Sequence, residues 1–151
     1  HVEYHKILED DLCLICPTDL EIPNKDGVVD INTFKDLVLI MRKDGSGTRN
    51  ALSKSLSEAG ISINNLNVRA VVESNEAIIE MVINGLGSSL VSKMSVEGSI
   101  ARGEIKHYKI KGLNLNRDFY FLFSKKKIFT PTEKKFLEYF SDLYNLDIIH
   151  E

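Results

Sequence analysis

The chain has 151 residues, 43% of them hydrophobic and 27% charged, which suits a soluble domain, or two small lobes, with a sizeable core. A net charge of −3 gives no electrostatic reason for this segment to hold DNA or RNA. No apolar run approaches the ~20 residues needed to cross a bilayer, so no membrane partner is expected, and no secretory leader is apparent, although a processed chain would show none.

HVEYHKILEDD shows neither helix entry nor turn and runs straight into the apolar DLCLIC, so the chain opens in mid-strand. Cys13 and Cys16 form a C-x-x-C, but a separation of three puts their side chains on opposite faces of a strand. A lone pair is also two ligands short of a structural zinc site, and His1, His5, His107 and His150 show no ligand spacing. Two reduced, packed thiols and no metal are expected. Pro17 ends the strand, a loop rich in Pro, Asn, Asp and Gly follows, and INTFKDL reads as a short helical turn before the strand LVLIM.

Beyond the stretch KDGSGTR, Leu52, Leu56 and Ala59 recur at helical spacing and Gly60 closes the helix. VRAVV is strand-like. The next segment is a second helix, with Ser74 as its N-cap, Glu76 in its first turn, and Ala77, Ile78, Met81 and Val82 on its apolar face. SSLVS reads as a short strand, and residues 94–103 as a weaker helix broken near Gly98. EIKHYKI and DFYFLF are strands, and the second is aromatic enough to be expected buried. It runs out into Lys125, Lys126 and Lys127, which read as a solvated strand end. Thr130-Pro131-Thr132-Glu133 is a capping box opening a last helix, with Phe136, Leu137, Phe140, Leu143 and Tyr144 as its apolar stripe. Strands alternating with helices at this spacing predict an α/β fold with a mostly parallel sheet.

KDGSGTR, residues 43–49, lies between a strand and a helix, where a helix N-terminus can hold an anion. It is not a P-loop: the glycines are two apart and no Lys follows the second. It is not a dinucleotide fingerprint, since Asn50 stands where the third glycine belongs. Nor is it a nucleophile elbow. What remains is a set of backbone N–H groups with Ser46, Gly47, Thr48 and Arg49 at the positive end of a helix, which favours a carboxylate, sulfate or phosphate. The residues equally allow Ser46 or Thr48 to be a plain cap and Arg49 to be solvated. Ser74 and Asn75 open the next helix after the next strand, and consecutive loops of a parallel sheet gather at one edge.

The series from DLCLICP through GSGTR, SNEAI and GLGSSLV to ARGEI and DFYFLF resembles the effector-binding domain of LysR-type transcriptional regulators, over nearly the whole chain. The resemblance implies a type 2 periplasmic-binding-protein-like fold: two α/β lobes joined by two crossing strands, with an effector between them. Residues 1–14 would be a remnant of lobe one and a crossing strand. Residues 15–115 would be lobe two, and 116–151 the return strand and C-terminal helix of lobe one. Family regulators begin with a winged helix-turn-helix, a linker helix and the first half of lobe one, so the expectation is an N-terminally truncated fragment that meets DNA only through the absent part. Carried over, Ser46, Gly47, Thr48 and Arg49 would grip a small anionic metabolite, with Ser74 and Asn75 beside them. Arg42 would add charge at the same edge or form a surface salt bridge. The family's dimers or tetramers would place the helix at residues 77–83 against a partner, although its apolar stripe is also explained by the core. The expected role is a cytoplasmic sensor without cofactor or catalytic residues. The alternatives are a solute-binding protein of an ABC transporter with the same fold, and an enzyme built on the same lobes.

Overall fold

Leu12, Cys13, Leu14, Ile15 and Cys16 are apolar without alternation, so a strand built from them must be covered on both faces. The computed structural model describes residues 2–144, and only the backbone at residues 3, 5, 7, 8, 121, 123, 143 and 144. His1 and His150, and the Leu143 and Tyr144 side chains of the last stripe, therefore lie outside what is described. The five apolar residues end a long strand β1 (Val2–Cys16), and all are buried. β1 runs antiparallel to β5 (Ser89–Ser92), Leu14 opposite Leu90, and to β6 (Lys106–Ile110), Leu14 opposite Tyr108. β2 (Val28–Val29) is parallel to β6, and β3 (Val38–Arg42) is parallel to β4 (Asn67–Val72).

A parallel bridge between Leu39 and Ser88 ties β3 to the entry of β5: Ile40 N–H donates to the Ser88 carbonyl and Ser88 N–H to the Val38 carbonyl, both at 2.8 Å. The mostly parallel sheet is present, with β1 as an antiparallel strand within it. At this junction a Cβ on Gly87 would stand 3.0 Å from the Val38 oxygen and 3.2 Å from the Ile40 side chain, so only glycine lets the two backbones approach.

Successive residues of β1 feed two cores. Leu12, Leu14 and Cys16 join Phe34 of α1 (Ile31–Asp36) and Leu52 and Leu56 of α2 (Gly47–Glu58). Cys13 and Ile15 join Ile78 and Val82 of α3 (Asn75–Ile83) and Val96 of α4 (Lys93–Ala101). One pair of helices therefore covers each face, and the two cysteines sit in different cores, neither of them in a disulfide. The chain divides into two compact units: Asp11–Asn116 is one, and the described residues up to Asp10 and from Arg117 onward form the other.

In the second unit, β7 (Asn116–Ser124) pairs with β1, and α5 (Pro131–Tyr144) follows. The capping box is realised in both directions: Glu133 N–H donates to Thr130 Oγ1 at 3.2 Å, and Thr130 N–H to Glu133 Oε2 at 2.9 Å. Two expectations are corrected. The aromatic strand is not buried throughout, since Phe119, Tyr120 and Leu122 are exposed; a two-stranded ribbon with one helix has too little apolar surface to cover both of its faces. α4 does not break at Gly98 but continues to Ala101 and ends at Gly103, whose N–H reaches the Ile100 carbonyl. Arg102 Nη1 lies 3.0 Å from where a Gly98 Cβ would be, so this glycine makes room for the arginine and does not interrupt the helix.

Burial pushes the Cys16 thiol up to about 11, against smaller opposing effects from a Ser88 hydrogen bond and the Lys106 charge. Neither Cys13 nor Cys16 should react with an aromatic disulfide reagent in the native chain at mildly alkaline pH, and both should react in denaturant. Rapid labelling of either native thiol would contradict their burial on opposite faces.

Candidate functional site

β3 delivers Arg42 to its C-terminal end, and the chain turns through Lys43, Asp44 and Gly45 into α2. The turn is closed by Ser46 N–H donating to the Lys43 carbonyl at 3.2 Å, and Gly45 takes the left-handed conformation (φ 84°) that this reversal needs. Ser46 is the N-cap of α2, its Oγ accepting from Arg49 N–H at 3.1 Å. That cap leaves the N–H groups of Gly47 and Thr48 in the first turn without an intrahelical acceptor, as helix geometry requires. Ser46 and Thr48 are both buried.

Arg49 is not solvated. Its Nη1 donates to the Arg42 carbonyl at 3.2 Å, and its Nε lies 3.7 Å from the exposed Asp44 carboxylate. The guanidinium therefore braces the helix start against the strand it follows.

β4 ends beside β3, with Lys43 N–H donating to the Val72 carbonyl at 3.2 Å, and leads to the second helix start. Ser74 caps α3, accepting from Ala77 N–H at 3.2 Å and donating to Glu76 Oε2 at 2.9 Å. The Glu76 carboxyl is held below the usual range, first by its own backbone N–H, then by the Ser74 hydroxyl, with a smaller contribution from the Arg42 charge. Arg42 Nη1 donates to Asn75 Oδ1 at 3.0 Å, while its buried Nε has no hydrogen-bond partner. Among the described residues Arg42 thus makes no salt bridge of the kind allowed for above; it joins the two helix starts through an amide.

All seven residues singled out in the sequence therefore lie at the C-terminal ends of β3 and β4, connected as Ser46, Arg49, Arg42 and Asn75, with Gly47 and Thr48 in the first of these helix starts and Ser74 in the second. Sequence reasoning missed the Arg42–Asn75 contact, which spans 33 residues. The helix read at residues 94–103 adds a third start at the same edge: α4 begins directly after β5 at Ser92, which makes no side-chain cap bond. A cavity of about 620 Å³ lined by Pro23, Lys25, Asp26, Asp30 and Lys111 includes none of the seven; it is open and mixed in charge. Among the described residues no group of three His, Cys, Asp or Glu side chains could hold a metal, and no helix is long and apolar enough to cross a membrane.

A family model described as the LysR substrate binding domain matches residues 1–144. Similar relatives include the RuBisCO operon transcriptional regulator of Acidithiobacillus ferrooxidans, 31% identical over 111 residues (74% of this chain, 35% of that protein). The HTH-type transcriptional activator CmpR of Synechocystis is 35% identical over 101 residues, 67% of this chain and 32% of that protein. The chain thus spans about a third of the length of these two curated relatives. Among solved structures, the regulatory domain of Synechocystis CcmR in complex with 2-PG is 26% identical and has a TM-score of 0.79, covering 95% of this chain and 67% of that one. The α/β, periplasmic-binding-protein-like fold expected from the sequence is the fold of these neighbours.

Losing either cap should cost about 1 kcal/mol in reversible urea unfolding: Ser46→Ala by freeing Arg49 N–H, Ser74→Ala by freeing Ala77 N–H. Ser74→Ala should also raise the Glu76 carboxyl toward its ordinary value, read by NMR titration. Because Glu76 is depressed in the fold, it stabilises the native state above its ordinary titration range and loses that contribution as pH falls through its lowered value. The Ser74→Ala protein should therefore show a shallower loss of stability on acidification. An unchanged titration would remove Ser74 from this role.

Proposed function

The chain belongs to the LysR substrate-binding-domain family, and on that premise we propose that it is the effector-sensing part of a LysR-type transcriptional regulator, taking a small anionic metabolite at the starts of α2 and α3. The observation that carries the anionic reading is Arg42, a largely enclosed cation with an unused Nε, set between two capped helix starts. Each helix end favours an anion by roughly 0.3–1 kcal/mol, and charge-assisted hydrogen bonds add to that. In this reading Gly47 and Thr48 offer backbone N–H groups and Thr48 its hydroxyl. Ser46 keeps the loop in shape, Arg49 and Arg42 supply positive charge, and Ser74 and Asn75 form the second wall. The regulatory domain of CcmR, solved with 2-PG, supports a small-molecule ligand for this family member as well.

In this reading the molecule senses and performs no chemistry, and Ser46 Oγ serves as the cap of α2. The unit Asp11–Asn116, close to the residues 15–115 expected from the sequence, is then the lobe carrying these helix starts, and the other unit belongs to the other lobe. The protein works in the cytoplasm as a dimer or tetramer, and DNA is met by a winged helix-turn-helix outside these 151 residues. The effector acts by binding one arrangement of the regulator better than another, since equal affinity for both would shift nothing. The names of the relatives favour this reading over a transport solute-binding protein.

Thermal melting of the chain with inorganic phosphate, sulfate, 2-PG, acetylserine, dicarboxylates and aromatic acids tests the site. One class should raise the melting temperature by mass action. Thr48→Val, which removes a hydroxyl without removing volume, should abolish most of that rise while leaving the unliganded melting temperature within about 2 °C. A rise unaffected by Thr48→Val and by Arg42→Met would move the site elsewhere, and no rise with any probe would remove the anionic reading. Independently, the intact gene product should protect DNA upstream of its own gene or a neighbouring gene, and an active probe should change that footprint. Absence of any protection would overturn the regulator assignment.

A further inference from the structure

Only two stretches of backbone join the two compact units, at Asp10–Asp11 and at Asn116–Arg117. A pair of contacts brackets both. On one side Asp10 and Arg117, the last residues of their unit at each crossing, form an ion pair, Arg117 Nη2 to Asp10 Oδ2 at 2.9 Å. On the other side Leu12 N–H donates to the Leu115 carbonyl at 3.0 Å, between two buried leucines. Between these ties each strand has one residue, Asp11 or Asn116, and both are exposed.

The ion pair is not built for stability alone. The Asp10 side chain is 1% exposed and that of Arg117 19%, so both charges pay desolvation. Yet the contact uses a single bond, and Asp10 Oδ1 and Arg117 Nε are buried without partners, although a side-on fork between the two groups would satisfy both. Arg117 is also held from its other side, with its guanidinium carbon 5.2 Å from the centre of the Phe119 ring. A singly bonded, buried, ring-backed pair at the point where both chains cross fits a clamp better than it fits a core contact.

We propose that Asp10 and Arg117 clamp β1 and β7 to each other and so hold the neighbouring Leu12–Leu115 backbone bond closed. Both are positioning residues. The proposal does not depend on the effector reading, because its test reads backbone exchange and uses no ligand.

Amide hydrogen exchange on the 151-residue chain supplies the test. Asp10→Asn removes the charge from the clamp, and Arg117→Lys keeps the charge but removes the guanidinium plane that lies over Phe119. In Asp10→Asn the Leu12 amide, which bonds across to Leu115, should exchange at least about tenfold faster, while the Ile40 amide, bonded to Ser88 within the same unit, keeps its wild-type rate. Arg117→Lys should give an intermediate acceleration at Leu12 alone. Unchanged exchange at Leu12 in both variants would show that the pair does not hold the crossing. Equal acceleration at Leu12 and Ile40 would show general destabilisation in place of a clamp. Should Asp10→Asn fail to fold, Arg117→Lys decides between the same readings.

Discussion

The structure depends on β1 being covered on both faces. Five consecutive apolar side chains cannot be divided into a wet and a dry side, so helices must pack above and below them, and the period of two in a strand decides which residue meets which helix pair. Cys13 and Ile15 face α3 and α4; Leu12, Leu14 and Cys16 face α1 and α2. β3 repeats the division, sending Leu39 and Met41 to one core and Ile40 to the other. Helices on both faces of parallel strands must each begin at the strands' C-terminal edge. The clustering of the α2, α3 and α4 starts is thus a consequence of how β1 is buried.

At that edge the strand order matters as much as the loops. β3 and β4 are adjacent and, beyond a register shift between Leu39 and Ile40, pair Arg42 with Val72, so a long side chain at the last position of β3 reaches the first turn of the helix after β4. The same residue's carbonyl receives the Arg49 guanidinium from the helix after β3. Arg42 therefore engages one helix start with its main chain and the other with its side chain. The Lys43–Glu73 pair, 3.3 Å apart on the exposed rim, adds little by comparison, since solvent screens it.

Signals confined to a few residues were legible in the sequence. The capping box at Thr130, the Ser74 cap and the helix end at Gly60 each need only neighbours along the chain, and the structure has them. The opposite faces of Cys13 and Cys16 followed from strand geometry alone. Burial of DFYFLF did not follow, because composition says what a strand prefers and not how much apolar surface stands opposite it. The weak break at Gly98 was a propensity argument that Arg102, folding back over the glycine, overrides. Within the candidate site the caps could be read, whereas the Arg42–Asn75 bond could not. It depends on β3 and β4 being neighbours, and nothing within either segment states that.

The choice of an amide at position 75 bears on what the site can hold. A carboxylate there would neutralise Arg42, whereas the Asn75 oxygen satisfies one N–H and leaves the charge in place. Asp44 compensates Arg49 only weakly, being exposed and 3.7 Å away, and Glu76 is engaged by its own N–H and by Ser74 before Arg42 acts on it. Two helix ends and two guanidinium groups thus face two carboxylates that are largely occupied or screened. Positive potential persists where the N–H groups of Gly47 and Thr48 lack acceptors, and the proposed anion would supply both the missing acceptors and the missing charge.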